Sequence, residues 1–363
     1  MSNLNPSIAQ YRLLGRTGLR VSPFCLGTMT FGTEWGWGAP QETAFALMDR
    51  FAEAGGNFID TADGYTNGTS ETMVGAWIKA RNARDRTVVA TKFTFNASPG
   101  DPNAGGNGRK NIRRALEGSL RRLGTDYIDL YWLHAWDTLT PVEEVMSTLT
   151  DLVHEGKVRY IGFSDTPAWY AARAQTLAET RGYERLAALQ LEYSLVERNI
   201  EREHVPLAAE LGMGLCPWSP LASGMLTGKH KREAHDGESR LNKIKDAGNP
   251  AFTKLFSDRN WDIVEALVRV SSEIGRSPAQ VALSWLFRKQ TVASIILGAT
   301  KLTQLEDNLS SISVELPDAA FDELDKLSSP EVVHPYLFFT QPMQAMINGG
   351  TSIRDSAHYL NKR

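Results

Sequence analysis

Phe58-Ile59-Asp60 is a short apolar run that ends in a carboxylate, and Tyr65 follows five residues later. Val88-Val89-Ala90-Thr91-Lys92 ends in an ammonium, and Ile128-Asp129-Leu130-Tyr131-Trp132-Leu133-His134 ends in an imidazole. If these runs are neighbouring parallel strands, Asp60, Tyr65, Lys92 and His134 converge on one rim of a sheet or barrel. A buried ammonium beside a phenol favours the phenolate and so lowers the phenol's pKa. A tyrosine tuned in this way can hand a proton to a carbonyl oxygen near neutral pH. Asp60 would hold Lys92 charged and in place, and His134 would orient the carbonyl. Taken singly, Asp60 could be a cap, Tyr65 a packed loop residue and His134 a satisfied core histidine. Lys92 resists such a reading, because a strand-end lysine pointing inward needs a partner.

Eight short apolar runs could position these groups: 23–27, 57–60, 87–92, 128–133, 160–164, 188–192, 213–218 and 293–297. Amphipathic stretches lie between them at 41–54, 108–123, 141–155, 167–181, 203–211, 258–274 and 301–312. Thr140, Thr166 and Ser277, each before a proline, read as helix starts, and Gly55-Gly56, Gly124 and Gly212 as helix stops. Strands alternating with helices specify parallel pairing, because each crossover needs a helix. Eight such units close a (β/α)8 TIM barrel. A doubly wound open sheet is the competing architecture. Candidate groups from three different strands favour the barrel, whose active residues lie on the C-terminal rim. Residues 13–22 read as an N-terminal β-hairpin, with Gly18 in its turn, able to plug the opposite end. The whole chain, 1–363, reads as one domain with a core of about 11–327 and a C-terminal tail from 331. Tyr336, Phe338, Phe339, Met343 and Met346 predict that part of this tail packs. The charged stretch 229–256, poor in apolar residues, reads as a lid.

Bulk composition narrows the partners. The 363 residues carry 39 Lys and Arg against 42 Asp and Glu, a net charge of −3. No basic arm offers itself to nucleic acid, and no run approaches the ~18 apolar residues of a membrane span. Cys25 and Cys216 lie in apolar runs and read as buried thiols. No secretory signal is apparent in 1–10, so the expectation is a soluble, cytoplasmic protein. The histidines show no metal-ligand spacing, so no metal is expected. The basic run Arg109-Lys110 with Arg113-Arg114 reads as a solvated helix face.

Six motifs, in order, resemble those of the aldo-keto reductases. They are Asn57-Phe58-Ile59-Asp60-Thr61-Ala62-Asp63-Gly64-Tyr65, Thr91-Lys92-Phe93, Leu130-Tyr131-Trp132-Leu133-His134, Tyr160-Ile161-Gly162-Phe163-Ser164, the run from Pro217 to Lys229, and Gly298-Ala299-Thr300-Lys301. The resemblance spans about 11–327 and is nearest to the branch of bacterial reductases and potassium-channel β subunits. It implies a barrel that binds NADPH without a G-x-G-x-x-G fingerprint, and none occurs here. Carried over by motif, the nicotinamide carboxamide contacts fall on Ser164, Asp165 and Gln190, and the stacking aromatic on Trp218. The pyrophosphate loop falls on Ser219, Leu221, Gly224 and Lys229. The adenosine end falls on Gly298, Thr300, Lys301, Gln304, Asp307 and Asn308, at the start of a helix whose N-terminus suits a phosphate. Asp165 departs from the family's asparagine, since a carboxylate cannot donate to the carboxamide oxygen. Asp307 departs from its more common glutamate.

Trp35, Trp37 and Trp136 lie in loops after the first and fourth strands, where they could line a substrate pocket or simply cap the barrel. The resemblance implies NADPH-dependent reduction of a small-molecule aldehyde or ketone, with Tyr65 as proton donor. A cofactor-binding sensor or accessory subunit on the same scaffold is the second class. Self-association stays open, as does the identity of the substrate.

Overall fold

The computed structural model describes residues 7–232 and 254–351. Eight parallel strands form the barrel: β3 (Phe24–Gly27), β4 (Phe58–Asp60), β5 (Val88–Phe93), β6 (Ile128–Leu133), β7 (Val158–Ser164), β8 (Leu186–Glu192), β9 (Gly214–Trp218) and β10 (Ile295–Gly298). Each falls within two residues of its expected limits. They pair in the order β10-β3-β4-β5-β6-β7-β8-β9. The ring closes just before β10, where the Leu215 amide donates to the Thr291 carbonyl at 2.9 Å and the Ala293 amide to the Leu215 carbonyl at 2.8 Å.

Strand side chains alternate between two layers, as a period of two requires. Cys25, Phe58, Ala90, Leu130, Trp132, Ala188, Cys216 and Ile296 fill the barrel interior. Leu26, Ile59, Val89, Tyr131, Ile161, Leu189, Leu215 and Leu297 face the helix layer instead. Both cysteines are free and buried. The interior set continues upward, in steps of two, to Gly27, Asp60, Lys92, His134, Ser164, Gln190, Trp218 and Gly298. The polar rim is therefore the top storey of the same columns that hold the apolar core.

The outer layer contains α1 (Gln41–Glu53), α2 (Thr69–Arg81), α3 (Arg109–Leu123), α4 (Val142–His154), α5 (Ala168–Arg181), α6 (His204–Leu211), α7 (Asp258–Glu273), α8 (Pro278–Phe287), α9 (Leu302–Ser310) and α10 (Asp318–Leu327). Ser277 caps α8 as expected, its hydroxyl accepting from the Gln280 amide at 3.2 Å. Thr140 and Thr166 do not cap. Pro141 and Pro167 are still extended there, with ψ of 138° and 145°, and themselves occupy the cap position. Helix α2 escapes the periodicity argument because it is enclosed on several sides: Glu71 and Gly75 are as buried as Met73, Val74, Trp77 and Ile78.

The hairpin β1 (Arg12–Leu13) with β2 (Arg20–Val21) sits under the barrel, where Leu14 and Val21 join the interior cluster. Gly18 has open space around it, so the tight position is Gly15 instead. With φ of +59°, a Cβ on Gly15 would lie 2.3 Å from the Ala187 carbonyl oxygen. The tail packs in part, with Tyr336 and Met343 half-buried. It forms a 3-10 turn, Tyr336–Phe339, and α11 (Gln341–Ile347), yet Phe338, Phe339 and Met346 stay exposed. Polar contacts hold its start: the Tyr336 hydroxyl donates to Glu203, and Arg202 to the Glu331 carbonyl at 3.0 Å. Most of the expected lid, 233–253, lies outside the described residues. Among the described residues, no helix is long and apolar enough to cross a membrane.

Trp132 fills the barrel axis only because β7 supplies no side chain beside it. A Cβ on Gly162 would come within 2.4 Å of the Trp132 ring and 2.9 Å of the Ala188 carbonyl oxygen. Gly162→Ala should therefore cost about 1–3 kcal/mol through overpacking. A lowered denaturation midpoint with unchanged far-UV circular dichroism is expected; an unchanged midpoint would show that the axis has room.

Candidate active site

Lys92 leaves the barrel core with no exposed surface and spends its three donors close by. They go to the Asp60 carboxylate, to the Thr61 carbonyl at 2.8 Å and to the Tyr65 hydroxyl at 3.1 Å. Asp60 also accepts from Gln190 Nε2 at 3.0 Å, which ties β4, β5 and β8 together. An ammonium cannot accept a hydrogen bond. Tyr65 must therefore use its oxygen toward Lys92, which frees its own proton for the cavity above.

The electrostatics amend one expectation. Burial raises the Tyr65 phenol, Lys92 lowers it, and Asp60 raises it again, leaving it above the ordinary tyrosine value. Lys92 thus works against burial without bringing the phenol near neutrality. Burial alone would lower Lys92, but Asp60 and Tyr65 reverse this and hold it above the ordinary lysine value. At His134, burial and then the Lys92 charge push the imidazole well below its ordinary value, so it is neutral at pH 7. Its Nδ1 is buried without a partner, and the residue borders the cavity above. The His134 ring stands edge-on to Tyr65, with centroids 5.8 Å apart.

A cavity of about 1000 Å3 opens above this cluster. It brings together Asp60, Tyr65, His134, Ser164, Asp165, Gln190, Trp218, Ser219, Leu221, Gly224, Lys229, Gly298, Thr300, Gln304, Asp307 and Asn308. Lys92 lies beneath it. Lys301 does not line it, standing exposed at the N-cap of α9. Trp35 and Trp37 line the cavity, whereas Trp136 does not. Trp136 instead packs on Trp169 and Tyr170, with centroids 5.5 and 5.9 Å away.

Phe95 is the aromatic that sequence reasoning missed. It lines the cavity and meets the His134 ring edge-on at 4.7 Å. Its position three residues past Lys92, just beyond the strand end, was the available signal; the chain turns there at Thr94, with φ of +130°. Asp307 is engaged already, accepting from the Ser277 hydroxyl at 2.9 Å and Gln280 Nε2 at 2.8 Å. Likewise Gln304 Oε1 accepts from the Thr300 amide at 2.9 Å.

The cavity suits a long, partly aromatic ligand. Trp218 and Gln190 offer a ring and a fixed amide at one end. Gly224, with φ of +101°, has nothing within 4 Å of where a Cβ would stand. At Gly298 only Thr30 comes near, at 3.9 Å. Both glycines therefore leave cradle space along the wall. Among the described residues, no cluster of His, Cys, Asp and Glu could hold a metal ion.

The family model described as the aldo/keto reductase family matches residues 23–329. Norsolorinic acid reductase stcV of Emericella nidulans is 37% identical over 350 residues, covering 93% of this chain and 87% of that protein. Norsolorinic acid reductase B of Aspergillus parasiticus is 34% identical, covering 95% and 91%. The NADP(+) aryl-alcohol dehydrogenase of Phanerodontia chrysosporium is 35% identical, covering 89% and 86%.

Removing one partner from a fully buried ion pair costs about 3–5 kcal/mol, because the other charge is left uncompensated. Asp60→Asn should lose stability of that order in chemical denaturation. Wild-type stability in that variant would mean that Lys92 finds its compensation elsewhere.

Proposed function

The chain belongs to the aldo/keto reductase family and is an oxidoreductase; from that premise we propose that it is an NADPH-dependent reductase of aryl aldehydes or ketones, with Tyr65 as proton donor. One observation carries the assignment of roles: the Tyr65 oxygen accepts from Lys92 at 3.1 Å, while its proton is left to face the cavity. A reduced nicotinamide held against Trp218 would supply the hydride. Ser164, Asp165 and Gln190 would hold its carboxamide. The loop of Ser219, Leu221 and Gly224, with Lys229, would take the pyrophosphate. Gly298, Thr300, Gln304, Asp307 and Asn308 would take the adenosine, and Lys301, at the N-terminus of α9, would face a 2′-phosphate from outside the cavity wall.

Each catalytic side chain has a distinct task. His134 is neutral, so it orients the substrate oxygen by a hydrogen bond without competing as an acid. Tyr65 delivers the proton to that oxygen as negative charge develops there. Lys92 then stabilises the resulting phenolate, and Asp60 keeps Lys92 charged and aimed. Phe95, Trp35 and Trp37 offer flat apolar surface beside Tyr65, which suits an aromatic ring next to the carbonyl. The names of the relatives, aryl-alcohol dehydrogenase and norsolorinic acid reductase, support the same substrate class. We assign the protein to the cytoplasm, which suits its two free buried thiols.

Tyr65→Phe separates chemistry from binding. Reduction of an aromatic aldehyde should fall by roughly 10²–10⁴-fold, the usual contribution of a positioned acid, while NADPH affinity stays near wild type. Near-normal turnover in this variant would remove Tyr65 from the role of proton donor.

A further inference from the structure

Two groups on the cavity floor are set with opposite hydrogen-bonding capacity. Asp60, paired with Lys92, is a carboxylate and can only accept. Gln190 Nε2 is therefore committed to Asp60, and Oε1 is what Gln190 offers a ligand. Asp165 faces the same space. Its Oδ1 accepts from Trp218 Nε1 at 3.1 Å, and among the described residues Oδ2 has no hydrogen-bond partner. The Asp165 backbone is held on both sides: its amide donates to the Gln190 carbonyl, and its carbonyl accepts from the Trp136 amide, each at 3.3 Å. Its φ of +43° lies in the left-handed region, so neighbouring strands and not local preference fix where the side chain stands.

The charges around Asp165 come from several elements. Glu192 at the end of β8 and the phenol of Tyr65 are its acidic neighbours, and Lys92 in β5 is the cation. From β9, Trp218 contributes a neutral donor. From α6, His204 Nε2 pairs with the Thr166 carbonyl, one residue further on, at 2.8 Å. The open side of Asp165 faces the cavity, and protein surrounds the rest. Asp165 is exposed to the open cavity; desolvation by the surrounding protein, opposed by the Trp218 hydrogen bond and Lys92 and reinforced by Glu192, raises its carboxyl, and solvent in the open cavity screens that rise. A phosphate-bearing ligand that displaces water from the cavity would push it the same way.

A primary carboxamide needs an acceptor for its NH2 and a donor for its oxygen. Resting on the placement of the nicotinamide carboxamide above, we propose that Asp165 binds it as the neutral carboxylic acid, donating from Oδ2 while Gln190 Oε1 accepts from the NH2 group. The Trp218 hydrogen bond marks Oδ1 as the carbonyl oxygen of that acid. Asp165 then reproduces an asparagine only while it keeps its proton. Cofactor affinity is full below the Asp165 pKa and is lost as pH rises through it. Ser164 can add a second donor but cannot supply this titration.

Fluorescence titration of NADPH between about pH 6.5 and 9.5 tests this with wild type, Asp165→Asn and Asp165→Leu. Strict dependence on the acid form would raise Kd by up to about tenfold per pH unit above the pKa. The wild-type Kd should therefore rise by about tenfold or more across the range. Asp165→Asn, a permanent donor, should stay flat and bind more tightly than wild type at the alkaline end. Asp165→Leu should bind weakly at every pH. A wild-type Kd that stays parallel to that of Asp165→Asn, or falls with pH, would overturn the proposal. Two further results would reach deeper and overturn it with its premise. Unimpaired binding by Asp165→Leu would show that the carboxamide sits elsewhere, and no NADPH binding by any form would reject the cofactor.

Discussion

Lys92 has no exposed surface, and a buried ammonium persists only where charge and hydrogen bonds offset its desolvation. Asp60, the Thr61 carbonyl and Tyr65 meet that need together. The requirement reaches back into the barrel. Asp60 pairs with Ala90 in the β4–β5 register, which sets Lys92 one step of two higher in the same interior column. A slip of one residue would send Lys92 into the helix layer beside Val89 and Phe93, away from Asp60 and Tyr65, where the nearby carboxylate, Glu71, is already engaged by Thr91 and Arg122. The apolar columns that specify register and the polar rim that works above them are therefore a single arrangement.

Around the rim the backbone departs from ordinary conformations. Thr66, Asn67, Thr94, Asp165, Ser219, Ala222 and Ser223 all have positive φ, at roughly 1–3 kcal/mol for each non-glycine residue. Such strain persists where surroundings over-determine it. Thr66, directly after Tyr65, is held by its hydroxyl donating to the Phe31 carbonyl at 2.8 Å. A Cβ on Gly32 would strike that same threonine, at 2.8 Å from its hydroxyl oxygen. The loop carrying Tyr65 is thus clamped from the β3 side as well as by Lys92 beneath.

The strands and the tetrad of Asp60, Tyr65, Lys92 and His134 were legible because the signal was local: apolar runs, each ending in one titratable group. What escaped depended on tertiary surroundings. Helix α2 has no clean apolar stripe, since Glu71 is buried by Thr91 and Arg122 and packs like a core residue. Gly18 looked like the turn glycine, but only the contact with Ala187 reveals that Gly15 is the constrained one. Trp136 and Phe95 both follow strand ends, and only their packing tells the cavity wall from its outer support. The downward tuning of Tyr65 was the right pairwise effect, yet burial, which a spacing argument cannot weigh, outweighs it.

The most direct test is the pH dependence of alcohol oxidation with NADP+ in wild type, Lys92→Met and Lys92→Arg. In this direction the proposed role has Tyr65 accept a proton, so the rate should climb as its phenol ionises. Lys92 is the group that lowers the phenol against burial, so its removal moves the phenol further up. The rising limb of Lys92→Met should shift to higher pH, while Lys92→Arg, which keeps the charge, should stay near wild type. A limb at the same pH in all three proteins would contradict the claim that the buried ammonium governs Tyr65.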